Sequence, residues 1–92
     1  MSPEQFKAWR KAMGFKSQSA VAEALGVSKG TIELYETGRR RDNGLPVTIP
    51  DSIILACAAV QLAVQRGKLS VDNPKALREW AYDLIEHVGS PG

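Results

Sequence analysis

The chain has 92 residues, of which 43% are hydrophobic, so it can form one compact core and is too short for two. Its single cysteine, Cys57, excludes an internal disulfide framework and lacks the cysteine and histidine neighbours of a zinc site. The net charge of +2 excludes a protein that coats nucleic acid indiscriminately. This charge is uneven, because residues 1–49 carry eight Lys or Arg against five Asp or Glu, whereas residues 50–92 carry four against five.

The first predicted element is a helix from about Pro3 to Met13. Ser2 is typical of an N-cap, proline suits the first helical turn, and Phe6, Trp9 and Met13 recur at helical spacing. The polar N-terminus lacks the apolar core of a secretory signal, and no stretch reaches the ~18 apolar residues of a membrane span. We therefore expect a cytoplasmic protein in a reducing compartment, without membrane contact and without a metal or other cofactor.

Two short helices and the turn between them form the next predicted unit. The second helix runs from about Gln18 to Leu25, and the third begins after the capping residue Ser28 and ends near Thr37. Gly26 lies in the turn, where a left-handed backbone is easiest for glycine. The positions that must pack these helices together are all small or apolar: Val21, Ala22, Leu25, Val27, Ile32 and Tyr35.

The segment from Arg39 to Ile49 is predicted to be an exposed loop, unusually long and without a clean period, that begins with Arg39, Arg40 and Arg41. A fourth helix is predicted from Pro50, which suits a first helical turn, to about Gly67. The many alanines of this helix, among larger apolar residues, indicate that it is buried.

The fifth predicted helix follows Asn73 and Pro74, a second cap-and-proline start. It is the clearest amphipathic segment of the chain, with the apolar residues Leu77, Trp80, Ala81, Leu84, Ile85 and Val88 on one face. This face either closes the core of the monomer or pairs with a second copy across a two-fold axis. We favour dimerisation through Leu77, Trp80, Leu84, Ile85 and Val88, since the earlier helices already supply a core.

The resulting fold class is all-α, with five helices in which residues 1–66 form the main unit and residues 67–92 add the amphipathic helix. With its apolar side turned inward, the third helix presents its remaining residues to solvent. These outward residues are Ser28, Lys29, Gly30, Thr31, Glu33, Leu34 and Thr37. A recognition helix lays such a face in the major groove of DNA, with its N-terminal residues nearest the base edges.

The apolar and glycine positions from Val21 to Gly38 resemble a lambda-repressor-like helix-turn-helix domain of the Cro or XRE type, over about residues 3–65. The resemblance implies that Gln18 touches a phosphate and that Lys29, Gly30 and Leu34 contact bases. It also implies that Arg10 and Glu36 tie the first helix to the end of the third. Residues 50–60 are similar to the fourth helix of phage-associated members of this group.

Each candidate side chain suits one kind of DNA contact. Lys29 can donate to guanine O6 and N7, and Leu34 can pack on a thymine methyl group. Glu33 can accept from cytosine N4 or repel phosphate. The residues Arg39, Arg40 and Arg41 follow the recognition helix directly, where they can meet the sugar-phosphate backbone.

We expect a homodimeric transcriptional regulator that binds a near-palindromic operator as a repressor, with no small-molecule ligand. An alternative is an antitoxin-like protein that binds DNA through the same unit and holds a second protein with its fifth helix. An enzyme is not expected, because no carboxylate cluster, metal set or activated nucleophile can be assembled from the sequence.

Overall fold

A computed structural model describes residues 1–40, 42–67 and 69–89 of the chain. Within those ranges it contains no strand and five helices, α1 (Pro3–Met13), α2 (Gln18–Leu25), α3 (Lys29–Thr37), α4 (Asp51–Gln65) and α5 (Pro74–Gly89). The predicted all-α, five-helix fold is confirmed. None of the helices in the described ranges is long and apolar enough to pass through a lipid bilayer.

Local side-chain chemistry sets the ends of the first three helices. Each begins at a serine whose hydroxyl accepts a hydrogen bond from the backbone N–H three residues later, at 3.1 Å in every case. Each is followed by a glycine with a left-handed backbone. The serines are Ser2, Ser17 and Ser28, and the glycines are Gly14, Gly26 and Gly38. Because these signals are local, the bounds predicted from the sequence agree with the structure.

A cluster of aromatic rings joins α1 to α3, and a hydrogen bond from one of these rings reaches α4. Phe6 is fully buried, and its ring centroid lies 5.8 Å from that of Tyr35 and 6.1 Å from that of Trp9. The ring of Trp9 also lies 6.0 Å from Phe15, and its indole Nε1 donates to Oε1 of Gln61 at 3.1 Å. Aromatic pairs at these distances add to the stabilisation that burial itself provides.

The second helix, α2, lies at the centre of the domain, where it contacts α3, α4 and α5. Its residues Val21, Ala22 and Ala24 are buried, and small side chains at the alanines let neighbouring helices approach closely. Val60 of α4 and Leu77 of α5 belong to the same buried cluster. Helix α5 is therefore part of the single core.

An ion pair ties α1 to the end of α3. Nε of Arg10 donates to Oε2 of Glu36 at 2.7 Å, and Nη2 donates to Oε1 at 3.0 Å. Only 11% of the Arg10 side chain and 6% of the Glu36 side chain are exposed. The structure thus contains the pair that the sequence resemblance implied, in a two-pronged geometry that sets how the two helices meet.

The segment between α3 and α4 is more ordered than an open loop. The backbone N–H of Arg40 donates to the carbonyl of Leu45, and that of Val47 donates to the carbonyl of Gly38, both at 2.9 Å. These two hydrogen bonds form an isolated antiparallel bridge between Arg39 and Pro46. The prediction of an exposed loop is correct for Leu45 but wrong for Ile49, which is buried and anchors the segment in the core.

Helix α4 is buried on one face only, which corrects the prediction of a buried helix. Cys57, Val60 and Ala63 face the core. On the other side, Leu55 is 70% exposed and Leu62 is 51% exposed. Composition shows that this helix is apolar, but the number of neighbours that cover it depends on the tertiary packing.

The sequence left two roles open for the apolar face of α5, which were to close the monomer core or to pair with a second copy. Leu77 is only 2% exposed and lies in the monomer core, so its assignment to a subunit contact was wrong, and Trp80 also packs against that core. Further along the helix, Leu84 and Ile85 are largely exposed. The side chain of Val88 lies outside the described part of the structure. The first half of α5 therefore closes the core.

We expect the Arg10 and Glu36 pair to contribute measurably to stability. The substitution Glu36→Ala leaves the Arg10 guanidinium covered and unpaired, which should lower the free energy of unfolding by about 2 to 3 kcal/mol. Urea unfolding followed by circular dichroism measures this. The control is Lys16→Ala, which removes an exposed pair with Asp72 at 3.8 Å and should cost less than about 0.5 kcal/mol. Equal losses in the two variants would contradict the assignment.

The thiol of Cys57 should be unreactive in the folded protein. Burial raises the pKa of Cys57 from 9.0 to about 11, which lowers the thiolate fraction at pH 8 by roughly 100-fold. Alkylation by iodoacetamide should therefore be at least ~100-fold slower in the native chain than in urea, and the native rate should rise as the pH approaches the raised pKa. Similar rates in the two states would show that Cys57 is accessible.

Candidate nucleic-acid interface

Helix α3 divides cleanly into an inner and an outer side. Ile32 and Tyr35 are buried, and burial raises the pKa of the Tyr35 hydroxyl. Lys29, Gly30 and Thr37 are exposed, whereas Glu33 and Leu34 are half-buried. The outward set predicted from the sequence is therefore exposed or half-buried, and four of its members, Gly30, Glu33, Leu34 and Thr37, share one surface depression.

The first turn of α3 combines a cap with a positive charge. The Ser28 hydroxyl accepts from the backbone N–H of Thr31 and lies 2.9 Å from the hydroxyl oxygen of that residue. These contacts fix the start of the helix, so both hydroxyls already have a hydrogen-bond partner within the protein. The exposed ammonium of Lys29 follows the cap directly. Together with the unpaired N–H groups of a helix start, it makes this end attractive to anions and hydrogen-bond acceptors.

Gly30 leaves a gap in the outer side of α3. A Cβ atom built at this position would meet only the hydroxyl oxygen of Ser28, at 3.8 Å, and the backbone is not left-handed. Neither the fold nor the packing requires glycine here. The gap opens into a surface depression whose walls include Glu33, Leu34 and Thr37.

The end of α3 is tied to the segment that follows it. The Thr37 hydroxyl donates to the carbonyl of Glu33 at 2.9 Å and lies 3.3 Å from the carbonyl of Arg39. One guanidinium nitrogen of Arg39 donates to the carbonyl of Gly44 at 3.3 Å. Thr37 and Arg39 therefore use some of their hydrogen-bonding groups to hold this segment against the helix.

The chain turns sharply after α3 at Gly38. The backbone here has a φ of 75°, and a Cβ atom would lie 2.8 Å from Cγ of Pro3, so only glycine fits without a shift. The turn brings Arg40 and Asp42 to the depression on the outer side of α3. The side chain of Arg40 is exposed there, whereas Arg41 lies outside the described residues.

Two consecutive helices joined by a tight turn, the second with an apolar inner side and a polar outer side, form a helix-turn-helix unit. A family model described as a helix-turn-helix domain matches residues 4–65, about two thirds of the chain. The chain belongs to this family. Comparisons with curated proteins and with solved structures gave no match. Helix-turn-helix domains bind DNA in transcription regulation and are not typically enzymes.

In this helix-turn-helix domain, the predicted site residues fall into two groups. Gly30, Glu33, Leu34, Thr37 and Arg40 line one depression. The remaining described residues lie around it or on neighbouring elements: Gln18 at the start of α2, Ser28, Lys29 and Thr31 in the first turn of α3, and Arg39 in the segment after it.

Sequence reasoning missed one member of this depression, Asp42. It belongs to the segment after α3, where the backbone N–H of Arg40 donates to the carbonyl of Leu45. The residues Asp42, Asn43 and Gly44 predict a tight turn in this segment, but they do not predict that the turn lies against the outer side of α3. The Asp42 carboxylate, with that of Glu33, makes the depression mixed in charge, which suits amino groups on base edges better than phosphates.

The close approach of Gly38 to Pro3 can be tested by comparison with Gly44, a second glycine with a left-handed backbone. Gly44 has a φ of 66° and no atom within 4 Å of a built Cβ, whereas Gly38 meets Pro3. We expect Gly44→Ala to cost about 1 kcal/mol from backbone strain alone, and Gly38→Ala to cost at least about 1 kcal/mol more, because Pro3 must also move. Urea unfolding of both variants measures the difference. Equal costs would show that the contact with Pro3 does not constrain this turn.

Proposed function

We propose that the protein is a sequence-specific transcriptional regulator that reads duplex DNA with the outer side of α3 in the major groove. One observation carries this proposal. The inner residues Ile32 and Tyr35 are locked in the core, while the outer side carries an exposed lysine at its start and an exposed arginine just beyond its end. A helix held rigidly with such a face exposed matches the requirements of a recognition helix.

The outer side of α3 supplies the base contacts. Lys29, at the N-terminal turn, donates to guanine O6 and N7, and Leu34 packs on a thymine methyl group. Glu33 accepts from cytosine N4. Gly30 adds no side chain, so a base edge can approach the helix backbone closely at this point.

Contacts with the sugar-phosphate backbone come from the flanks of the site. Arg40, Arg39 and Arg41 neutralise phosphates beside the groove, which supplies affinity but little sequence choice. Gln18 meets a phosphate at the start of α2, where backbone N–H groups are also free of helical partners. Thr37 adds a polar contact at the far end of α3, and Ser28 and Thr31 hold its first turn in place.

The biological unit in this proposal is a homodimer on a near-palindromic operator. One recognition helix reads only a short half-site, and a two-fold pair doubles the sequence that is read. The protein then represses by occupying the operator, as Cro and XRE types of phage-associated regulator do. The similarity of the segment from Val21 to Gly38 to that group supports this assignment.

The proposal predicts different effects for Lys29 and Arg40, which are both exposed cations of the site. Selection of bound duplexes from a random pool should enrich one sequence family. Lys29→Ala should relax the preference at one base step by about 1 to 3 kcal/mol. Arg40→Ala should weaken all sequences alike and reduce the slope of log affinity against log salt by about 1.

The matched control is Lys75→Ala, which removes an exposed cation from α5, a helix that contributes no residue to the proposed site. It should change neither the preferred sequence nor the salt slope by a comparable amount. The proposal fails if no duplex is enriched at physiological ionic strength, or if the three variants lose affinity equally.

A second candidate function is an antitoxin-like one, in which the same unit binds DNA and α5 holds another protein. The exposed residues Tyr82, Leu84 and Ile85 near the end of α5 favour it. Co-purification with the product of an adjacent gene, abolished by Ile85→Glu, would support this candidate. A partner that still binds the variant would exclude α5 as its site.

A further inference from the structure

Helix α4 carries an apolar outer face that nothing in the described structure covers. Leu55 and Leu62 are 70% and 51% exposed, and Ala58 and Ala59 between them are exposed as well. The interior of this helix, residues 52–65, contains no charged residue. An exposed helix face without charges is typical of a surface that is covered in an assembly.

The residues of this face are arranged symmetrically along the helix. Its midpoint lies between Ala58 and Ala59, and Leu55 precedes that midpoint by as many residues as Leu62 follows it. Two copies of α4 laid antiparallel about a two-fold axis at the midpoint therefore bring each Leu55 opposite Leu62 of the other copy. The alanines meet at the axis, where their small side chains let the two backbones approach closely.

The same two-fold operation pairs the polar ends of the face. Asp51 comes opposite Arg66 of the second copy, and Ser52 comes opposite its Gln65. All four side chains are exposed. A parallel arrangement would instead place Asp51 against Asp51 and Arg66 against Arg66. Charge complementarity therefore selects the antiparallel arrangement.

The exposed half of α5 is a weaker candidate for self-association. Its apolar residues Tyr82 and Ile85 are interspersed with the acidic residues Asp83 and Glu86, all exposed. In this half of the helix, self-pairing would bring like charges from the two copies together, which is destabilising. The outer face of α4 has no such conflict.

We propose that the chain forms a homodimer in which the outer face of α4 packs antiparallel on the same face of a second copy. The occupant of this face is thus a second copy of the chain. This surface is the subunit interface of the proposed dimeric regulator, and its biological use rests on the proposed function. The interface itself forms without DNA. It moves the dimer contact from α5, where the sequence placed it, to α4.

Sedimentation equilibrium of the full chain tests the interface, with Leu62→Glu and its matched control Ile85→Glu. Both residues are exposed in the monomer, so circular dichroism should show that both variants are folded. We expect the unsubstituted chain and Ile85→Glu to be dimers and Leu62→Glu to dissociate at least ~100-fold more readily, since it buries two carboxylates at one interface. A monomeric unsubstituted chain, a dimeric Leu62→Glu or a monomeric Ile85→Glu would overturn the proposal.

A charge exchange tests the antiparallel register. Asp51→Arg and Arg66→Asp should each weaken the dimer by about tenfold, because each places like charges opposite one another, whereas the double variant should restore the dimer to within about threefold of the original. Each substitution also places an unfavourable charge at one end of the α4 dipole. If the substitutions acted only by destabilising the monomer, their effects would add, and the double variant would be the weakest dimer. That result would overturn the register.

The two proposals fail separately. If sedimentation shows the α4 dimer but no duplex is enriched from the random pool, the proposed function falls and the interface stands. If duplexes are enriched but Leu62→Glu remains dimeric, the interface falls and the proposed function stands.

Discussion

The burial of Ile32 and Tyr35 against Phe6 is the constraint on which the rest of this domain depends. These contacts set the rotation of α3 about its own axis, and that rotation decides which side chains face solvent. The bidentate pair between Arg10 and Glu36 holds the same helix at its end. The recognition role that we propose for α3 needs this rigidity, because base contacts require side chains placed to within a fraction of an ångström.

The outer side of α3 is chemically mixed rather than uniformly basic. Lys29 and Arg40 bracket a depression that contains the carboxylates of Glu33 and Asp42. A purely basic face would bind any duplex through its phosphates, whereas nearby carboxylates penalise contacts with phosphate and reward amino groups on bases. The modest net charge of the chain fits the sequence-specific binding that we propose better than it fits indiscriminate binding.

The last two helices differ in what they leave exposed, although both are apolar on the side that faces the core. The first half of α5, which includes Leu77, closes the core over α2. The second half projects an acidic and apolar surface around Ile85. Helix α4 instead leaves an uncharged face with self-complementary ends, Asp51 and Arg66. The two surfaces thus differ in charge, and the dimer that we propose uses only that of α4.

The sequence by itself determined the five helices, because serine caps such as Ser28 and glycines such as Gly38 act on their immediate neighbours. Periodicity also determined which side of α3 faces outward. Only the tertiary structure decided that Leu77 lies inside the monomer, that Leu55 lies outside it and that Asp42 reaches the outer side of α3. The physical reason is that burial depends on how many helices cover a residue, and that number arises from contacts between segments distant in the chain.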